Sequence, residues 1–106
     1  MAGPESKFQH QITRILDGWI KQGKPIYYFV KQAGSIRGIP DLIICANGRF
    51  VAWEVKPTEE EAKKTNGRIA LQKYNISRIV AARGEAEVIH PGNIVSALHV
   101  LESLLG

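Results

Sequence analysis

The dipeptide Asn47-Gly48, set between two apolar runs, is the feature that most constrains how this chain folds. Such a pair favours a two-residue β-hairpin loop, because both loop positions need the positive φ that Asn and Gly tolerate. With this loop Asp41 lies directly opposite Glu54 on one sheet face, with Cβ atoms about 5 Å apart. A symmetric four-residue loop keeps this register, whereas a three-residue loop shifts it. Two facing carboxylates repel each other, so the pattern predicts a cation between them.

Lys56 lies two residues beyond Glu54 and is predicted to point to the same face. Hard divalent cations such as Mg²⁺ are bound by one or two carboxylates together with water and phosphate oxygens. A nearby ammonium can orient a metal-bound water or stabilise the transition state of phosphoryl chemistry. The alternative is an ordinary hairpin with a salt bridge between Lys56 and one acid. Trp53 and Val55, which flank Glu54 in an apolar strand, favour the metal site.

Length and composition restrict the class of protein. A chain of 106 residues with 44% hydrophobic residues predicts one folded domain over residues 1–106. No apolar run approaches the length of a membrane span and no signal-peptide pattern is present, so a cytoplasmic location is expected. The net charge of +4 suits a polyanionic partner such as nucleic acid. The single cysteine, Cys45, excludes an internal disulfide and is expected to be buried as a packing residue.

Hydrophobic periodicity predicts the order αβββαβα and an α/β fold. The predicted elements are a helix over 5–21, a strand over 26–30, the two hairpin strands, a helix over 67–82, a strand over 85–90 and a final helix from 94, with a polar loop over 58–66. The hairpin strands are apolar on both faces and therefore need helices on both sides. The helix that joins the third strand to the fourth makes a crossover, which predicts a mixed sheet.

Two further polar residues lie on apolar helix faces. Glu5 could reach the sheet as another metal or water ligand, or it could simply interact with the dipole of the first helical turn. Gln72 shares its helix face with Ile69, Ile76, Ile79 and Val80. A buried amide needs a partner, so Gln72 could bond a ligand water, a phosphate oxygen or Lys56, or it could cap a loop carbonyl.

Basic residues in loops or near the acidic pair are candidate phosphate contacts, which supply most nucleic-acid affinity without reading sequence. They are Lys31, Arg37, Arg49, Lys63, Lys64, Arg68 and Lys73. For each of them the alternative is a solvated surface charge.

Four motifs taken together resemble the VRR-NUC domain, a branch of the PD-(D/E)XK nuclease superfamily. They are Glu5-x-x-Phe8-Gln9, Arg37-Gly38-Ile39-Pro40-Asp41-Leu42, Glu54-Val55-Lys56 and Leu71-Gln72-Lys73, within about residues 5 to 90. The resemblance implies a restriction-endonuclease-like αβββαβ core with a mixed central sheet flanked by helices, followed here by a C-terminal helix. It also implies that Asp41, Glu54 and the Val55 carbonyl bind metal, and that Lys56 is the catalytic lysine. Glu5 corresponds to the acid of the first helix, for which Gln9 competes, and Gln72 to the glutamine of the second.

Members of this family hydrolyse DNA phosphodiester bonds with Mg²⁺ or Mn²⁺. The chain is similar to the short stand-alone form of phages and bacteria, a homodimer that resembles a Holliday-junction resolvase. The expected function is therefore that of a metal-dependent, structure-selective DNA endonuclease acting on four-way junctions in a bacterial or phage-infected cell. Two alternatives remain open. One is a nuclease of the same superfamily that nicks flap or duplex DNA without junction preference, and the other is a non-catalytic basic nucleic-acid-binding module.

Overall fold

A four-stranded mixed sheet forms the centre of the fold, and helices pack on both of its faces. The computed structural model describes residues 3–32, 34–64 and 67–106, without the side chain of Arg68. The elements are α1 Pro4–Lys21, β1 Ile26–Val30, β2 Leu42–Ala46, β3 Arg49–Val55, α2 Glu59–Lys63, α3 Gly67–Ala81, β4 Glu85–Ile89 and α4 Ile94–Leu104. The predicted α/β class is confirmed. Among the described residues, none of the helices combines the length and apolar character needed to cross a bilayer.

The central hairpin has the predicted register. β2 and β3 are antiparallel, with Leu42 opposite Trp53 and Ala46 opposite Arg49. Asn47 and Gly48 have φ of 51° and 85°, as a two-residue loop of this type requires. β1 pairs with β2 antiparallel and β4 pairs with β3 parallel, giving the order β1-β2-β3-β4. The prediction of a mixed sheet is therefore confirmed.

One face of the sheet holds the hydrophobic core. Alternate strand residues are buried there against α1 and α4, as the two-residue period of a strand requires. The buried set comprises Leu42, Ile44, Ala46, Val51, Trp53, Val55 and Ile89 from the sheet with Phe8, Ile12, Leu16, Ala97 and Leu101 from the helices. Each large apolar side chain buried in this way contributes about 1.5–3 kcal/mol relative to an exposed one.

The other face is covered only in part. α3 packs over β3 and β4, because it connects these two strands, and the β1–β2 half of the face extends beyond it. The expectation that Cys45 is buried is wrong, since this residue is exposed on the uncovered half. Val80 is also exposed, although the sequence pattern placed it on the buried face of the helix. A two-sided apolar strand pattern therefore overestimated how much of the sheet the helices cover.

A short helix, α2, replaces part of the loop predicted over residues 58–66. The Thr58 hydroxyl accepts a hydrogen bond from the Glu61 backbone N–H at 3.1 Å, which caps the helix. Its first turn is entirely acidic, which suits the positive end of the helix dipole. Residues 65 and 66 of the predicted loop lie outside the described residues. The segment has no buried apolar stripe, so hydrophobic periodicity could not predict the helix.

Candidate metal centre

Asp41 and Glu54 meet at the open end of the hairpin. Because Leu42 is opposite Trp53, the same register places Asp41 opposite Glu54. The Oδ2 atom of Asp41 accepts a hydrogen bond from the Val55 backbone N–H at 2.8 Å. The two acidic side chains are also hydrogen-bonded to each other. The structure therefore brings together the two carboxyl groups that the hairpin register predicts to be adjacent.

Glu54 is an acid in an apolar setting. Its side chain is 2% exposed, and its Oε2 atom is buried without a hydrogen-bond partner in the described part of the chain. Burial is the main cause that raises the pKa of Glu54 from 4.5 to about 9, and the hydrogen bond and charge of Asp41 raise it further. The positive charges of Lys56 and Lys31 act in the opposite direction. Without a cation, Glu54 therefore keeps its proton at neutral pH and donates it to Asp41.

Two lysines lie beside the acidic pair. Lys56 follows directly after β3, where its backbone N–H donates to the Ile89 carbonyl at 2.8 Å. The Nζ of Lys31 is 3.9 Å from Asp41 Oδ1 and donates to the Ile39 carbonyl at 3.3 Å. From the sequence Lys31 was only one of several candidate phosphate contacts. Its place next to Asp41 follows from the pairing of β1 with β2, which the hairpin signal does not specify.

The donor set fits a hard divalent cation. Glu54 Oε2 is buried and has no hydrogen-bond partner within the described residues, and the carboxylate of Asp41 is adjacent to Glu54. The N–H and C=O of one strand residue point to the same edge, so the Val55 carbonyl faces the Asp41 side, as its N–H does. The described residues contain no group of three or more His, Cys, Asp or Glu side chains suited to a metal. A site of two carboxylates and a carbonyl is typical of Mg²⁺, which keeps several water ligands.

Gln72 and Glu5 occupy different environments. Gln72 is 3% exposed on α3, the helix that covers the sheet face carrying Glu54. Glu5 is exposed in the first turn of α1, and α1 packs on the opposite face. Gln9, one turn further along α1, is partly buried. The structure thus places Gln72 on the Glu54 side of the sheet and Glu5 at the start of a helix on the other side.

Two arginines among the predicted phosphate contacts, Arg37 and Arg49, lie towards opposite ends of the sheet. Arg37 is exposed in the loop that leads into Asp41. Arg49 directly follows the hairpin turn and pairs with Glu85 at 3.3 Å. Arg49 is five residue steps along β3 from Glu54, a distance of roughly 17 Å. Of these two arginines, only Arg37 is positioned to contact a phosphate near the acidic pair.

The lysines of the α2 region are held by their own helix. Lys63 pairs with Glu59 at 3.2 Å, and Lys64 pairs with Glu61 at 2.6 Å. Lys73 is exposed on α3, and the side chain of Arg68 lies outside the described residues. The acidic residues of α2 offset its lysines, so this segment is not a concentrated basic surface.

Gly38 holds the loop before Asp41 against α3. It has φ of +83°, a conformation that favours glycine. A Cβ at this position would lie 2.5 Å from Leu71 Cγ and 3.0 Å from Asn75 Nδ2. The absence of a side chain therefore allows the loop to approach α3 and fixes the path of the chain into Asp41. From the sequence, this glycine is recognised as part of the motif over residues 37–42, but its contact with α3 cannot be predicted.

Comparisons with protein-family models, with curated proteins and with solved structures found no match to this chain. The assignment of function therefore depends on the geometry of Asp41, Glu54 and their neighbours and on the motifs described above.

Proposed function

We propose that the protein is a Mg²⁺- or Mn²⁺-dependent DNA endonuclease of the VRR-NUC type with a restriction-endonuclease-like core. The observation that carries the proposal is the pair of buried Glu54 and partly buried Asp41, in which Glu54 Oε2 has no hydrogen-bond partner among the described residues. In a salt bridge that served only the fold, each buried carboxyl oxygen would have a partner. An acid within an apolar strand otherwise costs stability. The α/β element order and the mixed sheet are compatible with this type of core.

Asp41, Glu54 and the Val55 carbonyl would hold the metal ion. When bound, such an ion lowers the pKa of a coordinated water and neutralises charge that develops on a phosphoryl group. The Val55 N–H fixes the orientation of Asp41, and Lys31 lies near its other oxygen. The acidic pair is thus oriented before any ligand arrives, which limits the reorganisation needed during the reaction.

Lys56 and Gln72 are proposed to act on the reacting groups. Lys56 supplies an ammonium that orients the attacking water or stabilises negative charge at the scissile phosphate. Gln72 supplies a buried amide on the same side of the sheet, suited to a bound water or a phosphate oxygen. Glu5, which the family resemblance suggested as a further acid, is left out of the proposed site, because it is exposed at the start of a helix that packs on the opposite face of the sheet.

The proposed substrate is branched DNA, in particular a four-way junction, and the proposed active form is a homodimer. Two-fold symmetry presents each site twice, so that two strands of a junction can be cut. The mildly basic chain, with a net charge of +4, suits such a polyanion. We place this activity in the cytoplasm of a bacterial or phage-infected cell.

The test is cleavage of a labelled four-way junction and a matched linear duplex with Mg²⁺, Mn²⁺ or a chelator. Glu54→Ala is the test variant, and Glu102→Ala, which removes an exposed acid on α4, is the matched control. We expect paired cuts in the junction that the chelator and Glu54→Ala abolish and Glu102→Ala preserves. Equal cutting of the duplex would contradict junction selectivity. Salt-sensitive binding without cleavage under any metal would contradict the nuclease and favour a non-catalytic module.

A further inference from the structure

Exposed aromatic side chains lie on the α3-side face of the sheet, on its uncovered β1–β2 half and on the adjoining strand β3. Tyr27 is 71% exposed, Phe29 50% and Phe50 47%. Tyr27 lies opposite Cys45, which lies opposite Phe50, so these three residues form one row across the sheet. Phe29 begins the next row, opposite Ile43. Exposed aromatic residues clustered in this way mark a binding surface.

The aromatic rows lead to the candidate metal centre. The Lys31 backbone N–H donates to the Asp41 carbonyl at 2.8 Å, so Lys31, Asp41 and Glu54 form the following row on the same face. Alternate residues of a strand are about 7 Å apart. The row of Phe29 therefore lies roughly 7 Å from the acidic pair, and the row of Tyr27 roughly 14 Å from it. One surface runs from the aromatic rings to the site.

α3 forms a wall beside this surface. Leu71, Asn75 and Arg78 follow one another at the four- and three-residue spacing that places them on one side of the helix. A depression of about 350 Å³ lies between Phe50 and the wall and includes Asn75 and Arg78. Another, of about 370 Å³, lies between Leu71 and Lys31 at the end nearest Asp41. The two depressions lie beside the exposed aromatic residues, with Arg78 in one and Lys31 and Arg37 in the other, and we call the whole surface the groove.

We propose that this groove binds unpaired nucleotides of the DNA strand next to the scissile phosphate, with bases stacked on Tyr27 and Phe29. This inference rests on the proposed nuclease function and narrows its branched substrates to DNA with a single-stranded segment beside the cut, in place of a fully paired four-way junction. Aromatic rings combined with cations are the chemistry that binds single strands without sequence preference. A duplex keeps its bases stacked on one another and cannot offer them to the groove.

Charge favours a nucleic acid over a second copy of the chain as the occupant. The cations towards the ends of the groove, Lys31, Arg37 and Arg78, complement the phosphates of a bound strand. A second copy related by two-fold symmetry would present the same cations to this surface. The chain as a whole carries a net charge of +4, which favours a polyanion at this surface.

Cys45 provides a direct probe of occupancy, because it is the single cysteine and lies exposed between Tyr27 and Phe50. The rate of its alkylation by N-ethylmaleimide would be measured with oligo(dT), with a duplex of equal length or with neither, in the presence of a chelator. We expect saturating oligo(dT) to slow alkylation at least about fivefold and the duplex to change it less than twofold. An unchanged rate with bound oligo(dT) would overturn the proposal.

Variants separate base stacking from general apolar contact. Tyr27→Leu should weaken oligo(dT) binding about 5- to 100-fold, the range for loss of one stacking ring, whereas Tyr27→Phe should bind as the wild type does. Val95→Ala, which reduces an exposed apolar side chain on α4, is the control. Equal binding by Tyr27→Leu and the wild type would overturn the proposal. Thermal melting checks that each variant is folded.

Two measurements distinguish the remaining outcomes. Sedimentation of the wild type and Tyr27→Leu shows whether Tyr27 holds two copies together. A wild-type dimer that Tyr27→Leu dissociates would overturn the proposal in favour of a contact between copies. Since oligo(dT) binding is measured without metal, it can fail while metal-dependent cleavage succeeds, or succeed while cleavage fails. The binding experiment can therefore contradict the groove without contradicting the nuclease function, and the cleavage experiment can do the reverse.

Discussion

At the residue scale, the chemistry of the site depends on how the charge of Glu54 is compensated. The carboxyl is buried beside Asp41, so it must hold either a proton or a cation. In the metal-free protein it holds the proton and donates it to Asp41. A divalent ion replaces that proton and takes up the buried Oε2 as a ligand. Protonation and metal binding are therefore competing states of one site.

The first prediction concerns pH. The pKa of Glu54 rises from 4.5 to about 9 on folding, mainly through burial. Its contribution to stability is fully present below about pH 4.5 and is lost as pH rises through 9. In chelator, the wild-type melting temperature should fall relative to that of Glu54→Gln between pH 5 and 9, by on the order of 5 °C or more. A difference that does not vary with pH would contradict this protonation state.

The second prediction concerns Asp41→Asn. An amide at this position can accept from the Val55 N–H and donate to Glu54, and it removes the charge of Asp41 that helps to raise the pKa of Glu54. Without metal the variant should be more stable by about 1 kcal/mol, which raises the melting temperature by about 4–8 °C. Addition of Mg²⁺ or Mn²⁺ should stabilise the wild type but not the variant. Equal stabilisation of both proteins by metal would place the ion elsewhere.

The acidic pair could be predicted from the sequence because a two-residue turn fixes which residues face each other. Lys31 could not be placed beside Asp41 in this way, since its position depends on how β1 pairs with β2. The exposure of Cys45 was missed for a related reason. An apolar strand pattern does not say how far a helix extends across a sheet.

At the element scale, the loop between β1 and β2 is held against α3 at Gly38. The backbone there has a positive φ, and Leu71 occupies the space that a Cβ would need. Gly34, in the same loop, also has a positive φ, of 85°, but among the described residues no atom beyond its chain neighbours lies within 4 Å of its Cβ position. Substitution of either glycine by alanine therefore introduces backbone strain, but only substitution of Gly38 also introduces a steric clash with α3.

The third prediction compares Gly38→Ala with Gly34→Ala by urea unfolding. Both variants lose about 1–2 kcal/mol through the strained backbone. Gly38→Ala should lose a further 1–3 kcal/mol, approximately, because the new methyl group displaces Leu71. It should also weaken metal binding, since the loop leads into Asp41. Similar losses in the two variants would show that the contact with α3 does not constrain the loop.

Most elements could be predicted from hydrophobic periodicity. In five of them, α1, β1, β2, β3 and α4, apolar residues at regular spacing lie in one core or pack against it. α2 is different. Its stability comes from the Thr58 cap and from acidic residues at its first turn, which are local effects that periodicity does not detect.

At the scale of the whole molecule, the basic residues are not equivalent. Arg37 is exposed at the end of the sheet where the acidic pair lies. Arg49 pairs with Glu85 near the hairpin turn at the other end. DNA that reaches the acidic pair should therefore contact Arg37 and not Arg49.

The fourth prediction tests this distribution of charge. Arg37→Ala should weaken binding of branched DNA and reduce the slope of log affinity against log salt by about 0.9, the value for one phosphate contact. Arg49→Ala should change neither quantity. Fluorescence anisotropy over a salt series, in chelator to prevent cleavage, measures both. An equal effect of the two substitutions would show that DNA does not lie across the site end of the sheet.

The most direct test of the metal centre is calorimetric titration of Mn²⁺ into the metal-free protein at pH 7, in two buffers of different ionisation enthalpy. Because Glu54 holds a proton until a cation replaces it, we expect about one proton released for each ion bound. Glu54→Gln should abolish tight binding and proton release together, and Glu102→Ala should preserve both. Absence of binding, or binding without proton release, would contradict a metal site at Asp41 and Glu54.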